Sequence, residues 1–247
     1  MRKRKKVLLF LVEGITDRIT FELALTKLLQ NERVEFLIMD GDITYDPLIS
    51  ADTIVRHVGD TVRRVEDRYK FRPGDFFKVV HIIDTDAAFI PDAKVLDGSM
   101  NPEAATGGKA TLYDPQRGIW TQHVKAVRER NHQKKQKVQR LCAQKQICRY
   151  IPYGLYYLSM NLEHVLYNRP NVSTSEKLML AKQKEKEYIR APQTLLSFFL
   201  QPAIAKGGGE YRGSWQYIFE GNHSLGRCSN LNILLTEIQE AGLMEKG

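Results

Sequence analysis

The sequence predicts an α/β fold with a mostly parallel sheet flanked by helices. Three short apolar runs, at residues 7–12, 34–39 and 76–83, are typical of strands buried on both faces of such a sheet. The segments between them, up to residue 29 and over residues 51–69, repeat apolar residues three and four apart, which indicates helices. Strands that alternate with helices in this way form parallel sheets with right-handed crossovers.

The middle of the chain departs from this pattern. Residues 87–118 are rich in Pro, Gly and Asp and predict a long loop or insertion. The basic stretch of residues 121–149 has an intermittent apolar face, which predicts a segment that is helical at both ends and solvated in the middle. Residues 147–158 predict another strand, and the helix that follows has Ser159 or Asn161 as its expected N-cap.

Helical patterns continue toward the C-terminus, over residues 173–190 and 230–241, with a Gly-rich turn between them. We therefore expect a first domain over residues 1–170, which includes a basic helical insertion at about 92–146. A helical C-terminal extension over residues 171–247 is expected to pack on it.

Composition narrows the class of protein. The net charge of +8 favours a polyanionic partner. Six apolar residues follow the basic N-terminus, too few for a secretory segment, and no apolar run approaches the roughly 20 residues of a membrane span. The three cysteines lack a C-x-x-C pair, so they predict reduced thiols rather than a zinc site or disulfide framework. These features predict a cytoplasmic protein.

Acidic residues follow two of the predicted strands. Glu13 comes after the first strand, and Asp84 and Asp86 come after the third. Residues two apart on an extended segment point the same way, and the carboxyl ends of parallel strands are where ligands bind. Oxygen donors of this kind suit Mg²⁺. The alternative is that such acids only punctuate turns or cap helices, as Thr16 or Asp17 is expected to do for the first helix.

Two motifs resemble those of a known family. Residues 11–17 (Leu-Val-Glu-Gly-Ile-Thr-Asp) and 82–86 (Ile-Ile-Asp-Thr-Asp) resemble the two acidic motifs of the TOPRIM domain. This Rossmann-like domain is shared by topoisomerases, bacterial primases, recombination proteins and OLD-family nucleases. The resemblance covers about residues 5–90 and 147–168.

The resemblance implies catalytic roles for the acids. It assigns Asp84 and Asp86 to Mg²⁺ binding, and Glu13 to metal binding or acid–base work. Residues 159–164 resemble a segment of small stand-alone TOPRIM proteins related to the RloB and OLD groups, in which an extra acid serves a second metal. Glu163 is the matching residue, and two ions, Mg²⁺ or Mn²⁺, are expected. An acid favoured early in a helix by the helix dipole is the alternative.

Basic residues predict contacts with nucleic acid. Lys206, which precedes a Gly run, is similar in position to a lysine that stabilises phosphate charge in OLD-type sites; a plain turn lysine is the alternative. His164 is expected to pack rather than bind metal, and the tyrosines of residues 150–157 are expected in the core. The predicted phosphate contacts are Lys125, Arg128, Arg130, Lys134, Lys135, Lys137 and Arg140.

These observations predict a metal-dependent nuclease that cuts DNA or RNA. By resemblance, it would be the toxic effector of a bacterial anti-phage, abortive-infection system. OLD-family proteins often join the TOPRIM domain to an ATPase, and this sequence lacks a complete P-loop. The resemblance therefore implies a separate ATPase partner protein, and a homodimer is a further expectation. Two alternatives stay open: a non-catalytic nucleic-acid-binding or assembly subunit, and a primase- or topoisomerase-like enzyme.

Overall fold

The protein has an α/β fold, as predicted. The structure is a computed structural model that describes residues 6–29, 33–39, 42–101 and 111–244. The strands are β1 (Val7–Val12), β2 (Arg33–Ile38), β3 (Phe76–Asp84), β4 (Val95–Asp97), β5 (Thr111–Asp114), β6 (Gly118–Thr121), β7 (Gln146–Ile147) and β8 (Ile151–Leu158). The helices are α1 (Ile15–Leu28), α2 (Ile54–Tyr69), α3 (Val124–Cys142), α4 (Leu162–Tyr167), α5 (Thr174–Arg190), α6 (Gln193–Phe199), α7 (Tyr211–Phe219) and α8 (Leu231–Glu240).

The main sheet has five strands in the order β2-β1-β3-β8-β7. The first four are parallel, and β7 joins the edge antiparallel to β8. The carboxyl ends of β1, β3 and β8 therefore lie side by side at one edge of the sheet. The sequence predicts Glu13, Asp84 and Asp86 at these carboxyl ends.

Helices cover both faces of this sheet, which explains why its strands are continuously apolar. Along β1, Leu8 and Phe10 face α1, α6 and α8, whereas Leu9 and Leu11 face α2 and α7. A strand alternates its side chains between two faces, so all six residues of β1 are buried. The tyrosines of β8 are also buried, as predicted, whereas Tyr150, which precedes the strand, is 70% exposed.

A second, smaller sheet lies in the segment predicted to be a loop. Strand β6 pairs in parallel with β4 and antiparallel with β5. The expectation of a loop over residues 87–118 was therefore incomplete, and residues 102–110 of that segment lie outside the described residues. Strands of three and four residues are too short to leave a periodic signal in the sequence.

The basic stretch forms one continuous helix, α3, rather than two helical ends with a solvated middle. Asn131, Lys134 and Lys137 in its middle are buried, together with Val138 and Leu141. These residues recur at three and four positions, so they share the face of α3 that packs on the body of the protein. The prediction of a solvated middle was wrong because it treated the lysines as surface residues.

The predicted N-cap is confirmed for α4 but not for α1. Asn161 is the N-cap of α4 and accepts a hydrogen bond from the His164 backbone nitrogen at 2.9 Å, as predicted. The N-cap of α1, by contrast, is Gly14, and Asp17 accepts a hydrogen bond from the Gly14 nitrogen at 3.0 Å from inside the first turn. Within the described ranges, none of the helices combines the length and apolar character needed to cross a membrane.

Candidate functional site

The acidic centre begins where β1 and β3 end. Glu13 directly follows β1, and its carboxylate oxygen Oε2 accepts a hydrogen bond from the backbone nitrogen of Asp84, the last residue of β3, at 3.2 Å. Its other oxygen, Oε1, lies 3.5 Å from the Thr44 hydroxyl. The parallel register of β1 and β3 thus brings two of the predicted site residues into contact.

The chain turns sharply after Asp84, so the two aspartates meet different partners. Asp86 has a φ of 48°, in the left-handed region, and its backbone nitrogen donates to the Met160 carbonyl at 2.9 Å. Thr85 binds the loop after β8 through its hydroxyl, which accepts from the Met160 nitrogen at 2.8 Å. The expectation of an extended segment with both carboxylates facing one cation is therefore wrong for Asp86.

Lys134 lies between Asp86 and a residue that the sequence had not singled out. Its ammonium nitrogen is 2.5 Å from Asp86 Oδ2 and 2.7 Å from Asp42 Oδ2. The lysine side chain is 0% exposed. The other oxygen of Asp42 accepts hydrogen bonds from the backbone nitrogens of Thr44 and Tyr45 at 2.9 and 3.0 Å. A fully formed ion-pair triad therefore occupies this half of the centre.

Asp84 faces a second group of charges. Glu163, at the start of α4, is 3% exposed, and its Oε2 lies 3.2 Å from the ammonium of Lys177 on α5. Asp17 is buried beside them and interacts electrostatically with Glu163 and Lys177. The buried Asp84 Oδ1 has no hydrogen-bond partner within the described part of the chain. The structure thus places Glu163 near Asp84, and adds Asp17 and Lys177.

Burial and crowding shift the proton affinities of these acids. Burial raises the pKa of Glu13 well above its usual range, and repulsion from Asp42 adds to the effect. Burial and repulsion from Asp17 likewise raise the pKa of Asp84. Burial is the largest influence on the pKa of Asp42 and acts to raise it, but the charge of Lys134 and the hydrogen bonds to the Asp42 side chain together outweigh burial, so the net shift is downward. Lys134 and Lys177 thus balance only part of the negative charge of these acids.

The carboxylates share a neighbourhood but do not surround one point. In the ranges that the structure describes, no group of three or more His, Cys, Asp or Glu side chains is arranged to hold a metal ion. The ammonium groups of Lys134 and Lys177 lie among the acids instead. The predicted metal ligands are therefore neighbours rather than a preformed cage.

Comparison with models of protein families, with curated proteins and with solved structures found no match. The likeness to the TOPRIM domain therefore rests on the two sequence motifs and on the position of Glu13, Asp84 and Asp86 at the carboxyl ends of parallel strands.

Two of the predicted phosphate contacts have other roles. Lys134 binds the acids, and Lys137, 2% exposed, donates to the Asp46 carbonyl at 2.7 Å. Both lysines fasten the turn of residues 42–46 to α3, so their interpretation as free phosphate contacts is wrong. Arg130 lies at the edge of the centre, where it donates to the Asp86 carbonyl at 3.3 Å.

The remaining basic residues lie apart from the acids or at their border. The Arg128 guanidinium donates to the Asp92 carbonyl at 3.0 Å, and Arg140 lies 3.7 Å from Asp52. Lys206 donates to the Pro202 carbonyl of its own loop at 2.7 Å, which agrees with the alternative of a turn lysine. Lys125 is exposed and Lys135 is partly exposed on α3, and both stay predicted phosphate contacts.

Sequence reasoning missed four charged members of the centre. Asp42 follows β2 and could have been found by the rule that already selected Glu13 and Asp84. Asp17 lies inside the first motif but was interpreted as a helix cap. Lys134 shares a face of α3 with Val127, Val138 and Leu141, which was a usable signal. We find no sequence signal for Lys177.

Proposed function

We propose that this protein is a Mg²⁺-dependent nuclease that hydrolyses phosphodiester bonds of DNA or RNA at its acidic centre. The observation that carries the proposal is the meeting of Glu13 and Asp84 at the ends of two adjacent parallel strands, with the buried Asp84 Oδ1 left without a described hydrogen-bond partner. Buried polar atoms are almost always satisfied, so this carboxylate oxygen is a place where an ion or an ordered water would bind.

Three acids of the centre have the donor chemistry of a site for a hard divalent cation. Glu13, Asp84 and Glu163 offer carboxylate oxygens, the donors that Mg²⁺ prefers. Burial and mutual repulsion raise the pKa of Glu13 and Asp84, and a nearby cation would relieve that repulsion. When bound, such an ion supplies Lewis-acid stabilisation of a phosphoryl oxygen and an activated water.

Glu13 is suited to move a proton. Burial, followed by repulsion from Asp42, raises the pKa of the Glu13 carboxyl, which strengthens its affinity for a proton. The Asp84 backbone nitrogen holds one of its oxygens at 3.2 Å, which fixes the orientation of the carboxyl. We assign Glu13 the role of general base toward the attacking water.

Tyr45 and Arg130, which form the rim of the centre, have side chains that suit contacts with nucleic acid. The Tyr45 ring is 53% exposed, and its backbone nitrogen is bound to Asp42. The Arg130 guanidinium lies 6.0 Å from the ring centroid. An exposed aromatic ring with an arginine beside it can stack on an unpaired base. With a net charge of +8, this favours a polyanionic substrate that has unpaired bases.

The biological setting rests on the sequence resemblance alone. We propose an effector of an anti-phage system, with an ATPase as a separate partner protein. The competing function is a non-catalytic nucleic-acid-binding subunit, which is favoured by the lysine ammonium seated between Asp42 and Asp86.

Digestion assays with the purified protein test the proposed activity. Plasmid, single-stranded DNA and tRNA would be incubated with Mg²⁺, with Mn²⁺ or with EDTA. We expect cleavage of at least one substrate that EDTA abolishes. Glu13→Gln keeps the hydrogen bond from Asp84 but removes the base, so the rate should fall by about 10²–10⁴-fold. Asp52→Asn, at a side chain 89% exposed, is the control and should cut normally. Binding without cleavage of any of the three would favour the non-catalytic subunit.

A further inference from the structure

Lys134 is the most unusual charged residue of the protein. Its side chain is 0% exposed and lies on the α3 face that also buries Val138 and Leu141. Burying an ammonium group is costly unless it is fully paired. Lys134 meets that condition, with carboxylate oxygens of Asp42 and Asp86 at 2.7 and 2.5 Å.

The Asp42–Asp86 half of the centre has its oxygens occupied. Asp42 accepts from Lys134 with one oxygen and from the nitrogens of Thr44 and Tyr45 with the other. Asp86 accepts from Lys134 through Oδ2, and the Tyr113 hydroxyl lies 3.4 Å from its Oδ1. A divalent ion would have to displace these donors and approach a like charge.

The other half differs in this respect. Asp84 Oδ1 is buried and lacks a hydrogen-bond partner among the described residues. Glu163 Oε2 forms an ion pair with the Lys177 ammonium, 3.2 Å away. The Lys177 side chain is 34% exposed and sits on a different helix, so it can swing toward solvent. Lys134, enclosed on all sides, cannot do so without opening α3.

We propose that the Lys134 ammonium takes the place of a divalent ion between Asp42 and Asp86, so that this pair binds no metal and the protein binds a single Mg²⁺ or Mn²⁺, at Asp84. This inference rests on the proposed function and sharpens it. Lys134 is then a positioning residue: it supplies a permanent positive charge, holds Asp86, and ties the turn of residues 42–46 to α3.

Counting bound Mn²⁺ tests this directly, without any need for cleavage. The full-length protein would be titrated by calorimetry, and free Mn²⁺ would be followed by electron paramagnetic resonance. We expect one ion per chain. Lys134→Met should raise the count to two because it frees the Asp42–Asp86 pair. Lys182→Met, at an exposed position of α5, is the control and should keep the count at one.

Two further variants decide the question even if Lys134→Met fails to fold. Asp84→Asn should abolish binding of the single ion. Asp86→Asn should weaken it by about tenfold or less, the lower end of the range for residues outside the metal's own ligands. Two ions bound to the unaltered protein, or loss of the ion in Asp86→Asn, would overturn the inference while leaving the proposed nuclease intact. No bound ion together with no cleavage would overturn both.

Discussion

Replacing Asp17 with Asn should stabilise the protein at neutral and alkaline pH. Burial, followed by repulsion from Glu163, raises the pKa of the Asp17 carboxyl from 3.8 to about 7. At 1.36 kcal/mol per pKa unit, this corresponds to about 4 kcal/mol. Because the folded protein holds this proton more tightly than the unfolded chain, the stability linked to Asp17 is present below about pH 4 and is lost as the pH rises toward 7.

The Asn side chain has no charge to repel Glu163 and can still accept the hydrogen bond from the Gly14 nitrogen. The advantage of Asp17→Asn over the unaltered protein should therefore be near zero below about pH 4 and grow with pH, to at most about 4 kcal/mol by pH 8. Urea denaturation in EDTA, followed by tryptophan fluorescence at pH 4, 6 and 8, measures this difference.

Asp42 gives a matched contrast, because the charge of Lys134 and the hydrogen bonds to the Asp42 side chain together outweigh burial and lower its pKa. A carboxyl with a lowered pKa adds stability above its unfolded pKa and loses it as the pH falls. Asp42→Asn should thus cost a nearly constant amount of stability from pH 8 down to about pH 5, and less as the pH falls below about 4, whereas the effect of Asp17→Asn changes between about pH 4 and 8. If the two variants show the same pH trend, the electrostatic division of the centre into two halves is refuted.

Two further variants test the rim and the C-terminal region. Tyr45→Ala removes a stacking surface and should therefore weaken binding to a single-stranded oligonucleotide by about 1–3 kcal/mol, as measured by fluorescence anisotropy in EDTA. The control is Tyr150→Ala, which alters a ring that is 70% exposed. An equal loss of binding in both variants would argue against a role for Tyr45. Gly207→Ala should lower the melting temperature, since Gly207 has a φ of 86° and a Cβ there would lie 2.4 Å from the Ser214 Cα. Gly208→Ala, with a similar φ but no described atom within 4 Å of the Cβ, should lower it less; the reverse order would contradict the contact.

The main sheet could be predicted from the sequence because helices cover both of its faces. Each strand, such as β1, is then apolar at every position, and a continuous apolar run is easy to recognise. The cap Asn161 was also predicted, since a side chain that caps a helix acts on backbone groups only two or three residues away.

Features that depend on distant parts of the chain were not predicted. The left-handed turn at Asp86 follows from hydrogen bonding to Met160, which lies on another strand's loop. The burial of Lys134 depends on Asp42, more than 90 residues earlier. A lysine in a basic helix is usually solvated, and only the fold reveals that acids lie beneath this one. The positions of Glu13 and Asp84 at the ends of their strands could thus be predicted, but not the pairing of Lys134 with Asp42 and Asp86.

The most direct test of the nuclease proposal is the rate of phosphodiester cleavage as Mg²⁺ is titrated. One substrate that the purified protein cuts would be used with the unaltered chain, with Asp84→Asn and with the exposed control Asp52→Asn. We predict a rate that rises and saturates with Mg²⁺ in the unaltered chain and the control, and that stays at background in Asp84→Asn. Cleavage by Asp84→Asn at the unaltered rate, or cleavage that persists in EDTA, would contradict the assignment of this acidic centre as the active site.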